Sequence, residues 1–345
     1  MFNKTLISEK SGERLGNLDV FRAVAALAVC FHHFNRESLT AGTWFSEIAK
    51  YGNYGVDIFF VISGFVIPFA LLRRNFELSQ IGIFLKGRFL RLYPAYAFAA
   101  ILTLGLWYAS TLVPGFRGEG PPAFSAAEIL TNTTLTCDFF QQKWFGIVFW
   151  TLAIEAQFYL FIVLSFPLLF QNAGKNLVPP WILLGAWLLL PLHFRQGPTF
   201  FGWSALFAMG FLAILWQRGE LKHWVFFLGL VIAGIVQWEV RSPVSAVLGL
   251  STALGVLFLP NLAWRPLVWV GTISYSLYLL HVPIGGRVMN FLERFSEFGF
   301  VQLLSVPLAL AITLFVAWIF FLMVEKPSHE LAQKITSVAR ASRKG

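Results

Sequence analysis

The stretch LDVFRAVAALAVCFHHF, at residues 18–34, contains the features that decide the fold of this chain. It is apolar enough for a membrane helix, yet it includes Arg22 and His33, eleven residues apart. At 100° per residue, both side chains project from one helix face, with their heads about 16 Å apart along the axis. Asp19 lies on the same stripe and is expected to hold Arg22. Because charge is costly in a bilayer, these residues are predicted to face a bundle interior or a water-filled cavity.

The composition is that of a polytopic membrane protein. Hydrophobic residues make up 57% of the 345 residues, charged residues only 12%, and the mean hydropathy is +0.69; soluble domains average about 25% charged residues. We predict an all-α integral membrane protein of about ten transmembrane helices, of which the fifth is the weakest. The ten apolar segments lie at 18–35, 56–72, 92–113, 144–170, 179–194, 199–217, 223–239, 243–259, 268–290 and 299–324.

Basic residues predict that both termini are cytoplasmic. Of the 26 Lys and Arg residues, 17 then fall in cytoplasmic segments and 8 in outer segments, and the remaining one is Arg22 within the first span. This excess follows the positive-inside rule. The net charge of +9 is spread over many loops. It therefore indicates contact with the inner leaflet of the lipid bilayer, and no nucleic-acid partner is expected.

The first segment is expected to persist as a span, because Arg22 interrupts the apolar run that a cleaved signal peptide needs. Cys30 lies in a span and Cys137 in an outer loop, which argues against a disulfide. His32 and His33 are adjacent and point about 100° apart, and no metal-ligand spacing occurs in the sequence. No metal site is therefore predicted.

Polar residues flank the second and third spans. YGVDIFFVISGF places Asp57 at the outer end of a helix and Ser63 one to two turns deeper. Helix capping with small-residue packing explains these two residues as well as a functional site does. GRFLRLYP places Arg88 and Arg91 on one helical face at the cytoplasmic entrance. That geometry suits phosphate oxygens, although membrane anchoring explains the charge equally well.

Spans four and nine contain two further polar groups. WTLAIEAQFYLF places Glu155 and Tyr159 at i and i+4, within reach of a common ligand. Glu155 lies deep enough that a neutral or paired carboxylate is expected. In span nine, Ser274, Tyr278 and His281 form a second polar stripe, which either takes part in chemistry or holds helices together.

Together these stretches resemble the successive motifs of the acyltransferase 3 family. With ISYSLYLLHVPI and the closing FLMVEKP, they occur in the family's order over residues 18–327. The family comprises bacterial integral-membrane O-acyltransferases of surface polysaccharides and, in some members, of small molecules. The resemblance implies a ten-helix domain at 18–327, preceded by a cytoplasmic segment at 1–17 and followed by a basic cytoplasmic tail at 328–345.

The resemblance also implies roles for single residues. The family's Arg-x10-His pair, its Arg-x-x-Arg and the acid of its fourth-span motif correspond here to Arg22, His33, Arg88, Arg91 and Glu155. The family commonly has two adjacent acids in that motif, whereas Ala156 takes the second place here, which puts a double-carboxylate role in doubt. No hydrolase-like domain is expected after Pro327, so an acyl relay through a second domain of this chain is not expected.

The resemblance therefore implies an acyl transfer in which cytoplasmic acyl-CoA, most simply acetyl-CoA, is the donor substrate. No permanently bound cofactor is expected. The CoA phosphates are expected on Arg88 and Arg91, with a pantetheine arm of about 20 Å reaching toward span one. His33 is the candidate general base for a sugar hydroxyl. Glu155 is expected to orient that imidazole or to stabilise its charged form. Direct transfer and an acyl-histidine intermediate both fit.

The expected acceptor is a glycan at the bacterial cytoplasmic (inner) membrane: a surface polysaccharide, its lipid-linked precursor or a small glycosylated molecule. A non-enzymatic carrier would also need buried ions, but no repeat relates the two halves of the sequence. The outer segment at 114–142 is a candidate lid or acceptor surface. The polar residues with expected supporting roles are Asp19, Asp57, Ser63, Tyr159, Tyr278 and His281.

Overall fold

A computed structural model describes residues 16–113, 120–121, 123–170, 180–195, 199–259 and 264–341. All regular structure in these ranges is helical, which confirms the predicted all-α class. The α-helices are α1 (Gly16–Phe34), α2 (Glu37–Thr40), α3 (Trp44–Ala49), α4 (Gly55–Leu72), α5 (Ile81–Thr111), α6 (Ala126–Thr134), α7 (Trp150–Phe170), α8 (Pro180–Phe194), α9 (Ser204–Gln217), α10 (His223–Val240), α11 (Pro243–Phe258), α12 (Arg265–Thr272), α13 (Ser274–Leu280), α14 (Arg287–Leu292), α15 (Gly299–Phe320) and α16 (Lys326–Ala341). Two π-helical segments, His281–Gly286 and Phe321–Glu325, follow α13 and α15.

Helices occupy all ten predicted apolar segments. Within the described ranges, six helical stretches are long and apolar enough to cross a membrane, or seven if α12 and the helix after it form one broken span. α8, at the weakest predicted segment, and α11 are shorter apolar helices. The multi-pass membrane class is thus confirmed, while the number ten and the cytoplasmic termini stay predictions.

The chain divides into two compact units, and the first is built around α9. This unit contains residues 16–29 and 51–78 and the described part of 155–272. α4, α8, α10 and α11 pack around α9, whose large apolar side chains are fully buried: Leu206, Phe207, Met209, Phe211, Leu212 and Ile214. Gly64 permits the close α4–α9 crossing, because a Cβ there would overlap the backbone carbonyl of Phe207.

The second unit contains residues 30–50, 273–341 and the described part of 79–154. α16 packs along α5, where the side chain of Thr336 approaches Gly87. Most of the predicted basic tail is therefore helical up to Ala341, and residues 342–345 lie outside the described ranges. α15 exposes large apolar side chains, as expected of a helix that faces lipid: Phe300, Leu303, Leu304, Leu308 and Phe315.

In the second unit, the described part of the segment between α5 and α7 folds around α6. Ser125 and Glu128 form a capping box, and hydrogen bonds from Ser125 lower the pKa of the Glu128 carboxyl. Buried Asn132 donates to the Lys143 carbonyl at 2.8 Å and accepts from the Phe145 N–H at 2.8 Å. Of the predicted lid at 114–142, residues 114–119 and 122 lie outside the described ranges. The role of this segment as a lid stays a prediction.

Candidate active site

α1 places Asp19, Arg22 and His33 on one continuous helix. Arg22 Nη1 donates to Asp19 Oδ1 at 3.2 Å, with the Arg22 side chain 26% exposed and that of Asp19 7% exposed. The expected Asp19–Arg22 ion pair is therefore present in the first unit. A Cβ on Gly271 would overlap the Asp19 carbonyl, so α12 ends directly against α1. Asp19 therefore takes part in both the ion pair with Arg22 and the close contact between α1 and α12.

In the second unit, half-buried His33 lies within a group of imidazoles. Its ring centroid is 5.0 Å from that of His281 and 5.1 Å from that of His32. Arg36 Nη1 donates to the His33 carbonyl at 3.0 Å, so a cation caps the end of α1. The sequence identified both His33 and His281, but it did not predict that their rings meet.

His281 is fully buried at the first residue of a π-helical segment. Its Nδ1 lies 2.6 Å from the Tyr278 carbonyl oxygen. The Tyr278 hydroxyl accepts from Thr151 Oγ1 at 2.9 Å and lies 3.2 Å from the Val148 carbonyl, to which it donates. The predicted polar stripe of span nine therefore connects α13 to the start of α7 and also reaches His33.

Glu155 forms a separate cluster in the first unit. Its Oε1 accepts hydrogen bonds from Ser63 Oγ at 3.4 Å and from the Tyr159 hydroxyl. The shared face predicted for Glu155 and Tyr159 is therefore present, and Ser63 of α4 joins them. A hydrogen-bonded carboxylate in a span is the paired state expected at this depth. The orientation of His33 by Glu155 stays a prediction.

Asp57 belongs to a buried ion pair that the sequence did not reveal. Its Oδ2 lies 3.2 Å from Arg241 Nε and accepts from Ser245 Oγ at 2.5 Å. The Arg241 guanidinium lies over the rings of Tyr54 and Trp203, at 4.8 and 4.6 Å from their centroids. Asp57 is fully buried, so within the first unit this cluster joins the start of α4 to the end of α10 and to Ser245 of α11.

Arg88 and Arg91 lie on one face of α5, as their spacing predicts. Both are half-buried, and the Arg88 guanidinium lies over the Phe84 ring at 5.2 Å from its centroid. Gly87, one residue before Arg88, faces Thr336 of α16. The arginine pair thus lies beside the C-terminal helix in the second unit. Phosphate binding by the pair stays a prediction.

Sequence reasoning also missed Glu325, within the FLMVEKP stretch. Glu325 Oε2 accepts from the Ser276 backbone N–H at 3.1 Å and from Ser276 Oγ at 2.5 Å. This carboxylate satisfies one of the backbone N–H groups in the first turn of α13, which begins after the ninth predicted span is interrupted at Ile273. The available signal was an acidic residue that directly follows an apolar run of more than twenty residues.

In the part of the chain that the structure describes, no three His, Cys, Asp or Glu side chains are placed to hold a metal ion. Cys30 and Cys137 are free thiols. Cys137 packs against α6, where its thiol donates to Thr131 Oγ1, and burial raises the pKa of that thiol. A protonated, buried thiol is a poor nucleophile, so Cys137 is not a candidate nucleophile.

The fold and the polar groups define a multi-pass membrane protein with ionisable side chains gathered within its helices. The chain matches the acyltransferase domain family, acyltransferase 3, over residues 15–322. It therefore belongs to that family, as the motifs implied. No solved structure matches it.

Several curated proteins are similar to the chain. The O-acetyltransferase OatA of Staphylococcus aureus (strain NCTC 8325 / PS 47) is 27% identical over 370 residues, covering 94% of this chain and 58% of the relative. The putative peptidoglycan O-acetyltransferase YrhL of Bacillus subtilis (strain 168) is 27% identical, covering 90% and 54%. The peptidoglycan O-acetyltransferase OatA of Listeria monocytogenes is 26% identical, covering 90% and 55%. The chain thus spans a little over half the length of these relatives.

Proposed function

We propose that the protein is a membrane O-acetyltransferase that moves an acetyl group from acetyl-CoA to a sugar hydroxyl of a bacterial cell-wall glycan. The family match over residues 15–322 carries this proposal. Relatives named as O-acetyltransferases align with 90% or more of the chain, and two of the names specify peptidoglycan. A peptidoglycan-type polymer is therefore the acceptor that we favour over a small glycosylated molecule.

In the proposed reaction, acetyl-CoA enters from the cytoplasmic side of the bacterial inner membrane. Arg88 and Arg91 bind the CoA phosphates, because guanidinium groups present paired N–H donors to phosphate oxygens. The pantetheine arm, about 20 Å when extended, carries the thioester toward the end of α1. Arg22, on the same face of α1 as His33, binds the donor along that stripe.

His33 acts as the general base. The acceptor oxygen attacks the thioester carbonyl while the hydroxyl proton passes to the imidazole. A C–O bond forms, the C–S bond breaks, and the imidazolium returns the proton to the CoA thiolate. A positioned base contributes about 10²- to 10⁴-fold in rate. The half-buried site of His33 beside a second imidazole supports this role. The Glu155–Ser63–Tyr159 cluster is proposed to support catalysis as a paired carboxylate.

The test uses the purified full chain in liposomes with [acetyl-¹⁴C]acetyl-CoA and soluble peptidoglycan fragments. We expect alkali-labile label on the glycan, with one equivalent of CoA thiol released per ester. The His33→Ala variant should lose both signals. His193→Ala, which changes an exposed histidine at the end of α8, should keep them. Absence of thiol release from folded wild-type protein with every glycan acceptor would refute the proposed activity and favour a carrier without covalent chemistry.

A further inference from the structure

His281 is the buried imidazole nearest to His33 in the second unit. It is fully buried, its ring centroid is 5.0 Å from that of His33, and the two rings are inclined by 50°. His281 opens the π-helical segment His281–Gly286. Single turns of π-helix within α-helices frequently occur at functional sites.

The hydrogen bond to Tyr278 determines which nitrogen of His281 carries the proton. Its Nδ1 lies 2.6 Å from the Tyr278 carbonyl oxygen, and a carbonyl oxygen can only accept. Nδ1 therefore carries the hydrogen, and the lone pair of the neutral ring is on Nε2. Nε2 is buried and has no hydrogen-bond partner among the described residues. Burying a hydrogen-bond acceptor without a partner costs free energy, so we expect a second group to donate to Nε2.

We propose that His281 is a positioning residue for His33, an inference that rests on the proposed acetyl transfer. Nε2 of His281 accepts the N–H of the His33 ring, so the other nitrogen of His33 is unprotonated and faces the acceptor hydroxyl. The hydroxyl proton then passes to His33 and on to the CoA thiolate, while His281 stays neutral. The carboxylate of a catalytic triad fixes its histidine in the same way. Such bonds are often loose before substrates bind.

The fold brings the π-helical segment against the end of α1. A Cβ on Gly285 would overlap the ring of Phe34, the last residue of α1, and would also meet Thr313 of α15. Glycine at this position therefore allows the close approach that brings His281 to His33. At the neighbouring Gly286, the nearest atom to a Cβ would be 4.0 Å away, on Arg36. The two adjacent glycines thus form a matched pair for mutation.

His32 provides a control with similar surroundings. Its ring centroid is 5.1 Å from that of His33, and its Nδ1 lies 3.1 Å from the Ala49 carbonyl oxygen. Unlike His281, His32 is partly exposed, so water can satisfy its second nitrogen. If proximity to His33 were the only factor, substitutions of His32 and His281 would lower activity equally. The proposal predicts a large effect only for His281.

The kinetic test compares His281→Asn, His281→Gln and His32→Asn in liposomes. Asparagine retains a donor near the Nδ1 position, whereas glutamine places an amide near Nε2. For His281→Asn we expect a fall in kcat of about 100-fold or more, with the acetyl-CoA KM within about threefold of wild type. The kcat of His281→Gln should be at least about tenfold higher than that of His281→Asn, and the kcat of His32→Asn should stay within about threefold of wild type. Wild-type kcat in His281→Asn, or equal losses in His281→Asn and His32→Asn, would overturn the proposal.

A second test leaves both histidines in place. Gly285→Ala should lower kcat by about tenfold or more because it pushes the π-helical segment away from α1, whereas Gly286→Ala should stay near wild type. Independently of any variant, ¹⁵N NMR of histidine-labelled wild-type protein should show the Nδ1–H tautomer for His281. An Nε2–H tautomer overturns the inference even if every variant fails to fold. Inactive wild-type protein would instead count against the acetyl transfer itself.

Discussion

Two adjacent histidines at the end of α1 show how strongly position decides the role of a residue. His32 turns toward the Ala49 carbonyl, at 3.1 Å, whereas His33 contacts the buried ring of His281. The 100° step between neighbouring helical residues produces this difference. Only His33 shares the face of Arg22, so only His33 is assigned the general-base role.

We expect His33→Ala to abolish acetyl transfer while the protein stays folded and inserted, because loss of a positioned base removes about 10²- to 10⁴-fold in rate. His32→Ala should retain most activity. The measurement is the initial rate of CoA thiol release, with insertion checked by size-exclusion chromatography in detergent. Comparable losses in two well-folded variants would contradict the assignment.

A prediction for the donor site concerns Arg88 and Arg91. Phosphate contacts far from the thioester are made in both ground and transition states, so replacing both residues with Ala should raise the acetyl-CoA KM much more than it lowers kcat. Two charge-assisted contacts of about 1.5–3 kcal/mol each, discounted for the half-exposed surroundings, predict a KM increase of at least about tenfold. Lysine at both positions should restore only part of the affinity.

The control for this prediction is the double Ala variant of Arg73 and Arg74, two exposed arginines at the end of α4. It removes the same charge, but α4 is not the helix proposed to bind phosphate. We expect its acetyl-CoA KM to match wild type. If the Arg88 and Arg91 variant inserts normally with an unchanged KM, the donor binds elsewhere.

At the scale of helices, the Asp57–Arg241 pair shows what holds the first unit together. The pair is buried, with the Arg241 side chain 11% exposed and that of Asp57 fully enclosed. Removing one member of a buried pair leaves a charge without compensation and typically costs about 3–5 kcal/mol. The Lys50–Glu47 pair, at 2.6 Å, is exposed instead, and exposed pairs contribute at most about 1 kcal/mol to the free energy of unfolding.

We therefore expect Arg241→Met to lower the unfolding temperature in detergent by several degrees, whereas Lys50→Met should leave it nearly unchanged. The double variant Asp57→Leu with Arg241→Met should recover part of the loss, because no buried charge is then left unpaired. Thermal unfolding followed by intrinsic tryptophan fluorescence checks all three variants. Equal unfolding temperatures for Arg241→Met and Lys50→Met would mean that the pair does not stabilise this unit.

Sequence patterns predicted the helices well, because an apolar run has little alternative to a helix in a bilayer. Interruptions within helices were harder to predict from the sequence. The interruption of span nine at Ile273 and the π-helical turn at His281–Gly286 depend on tertiary contacts, namely the Glu325–Ser276 hydrogen bonds and the packing of Gly285 on Phe34. Hydrophobic periodicity describes the faces of a single helix, so it does not predict contacts between helices.

The same reasoning explains which site residues were predicted. Arg22, His33 and Glu155 stand out because ionisable groups are rare within apolar spans. Arg241 was assigned to an outer segment as one loop charge among several, and nothing local indicated its contact with Asp57. Nothing in the sequence distinguishes Thr151 from an ordinary helix residue, and its hydrogen bond to Tyr278 is evident only in the structure. Pairings between distant parts of the chain therefore had to come from the structure.

For the whole molecule, the orientation in the membrane follows from the 17-to-8 distribution of basic residues described above. Reporter fusions after Gly345 and near Lys175 should both report the cytoplasm, and one after Gly120 should report the outside, because Lys and Arg favour cytoplasmic loops. Paired alkaline phosphatase and fluorescent protein reporters provide the measurement. An external reporter after Gly345 would mean an odd number of spans, and the proposed geometry of the site would then be wrong.

The central claim is that acetyl groups from cytoplasmic acetyl-CoA reach a glycan hydroxyl through this chain. The most direct test places the protein in liposomes with one orientation, supplies [acetyl-¹⁴C]acetyl-CoA to the side of the C-terminus, and supplies peptidoglycan fragments to the other side. We predict labelled O-acetyl esters on the fragments and free CoA on the donor side, both absent with His33→Ala. Label that forms only when donor and acceptor share one side, or label that persists in His33→Ala, would contradict the claim.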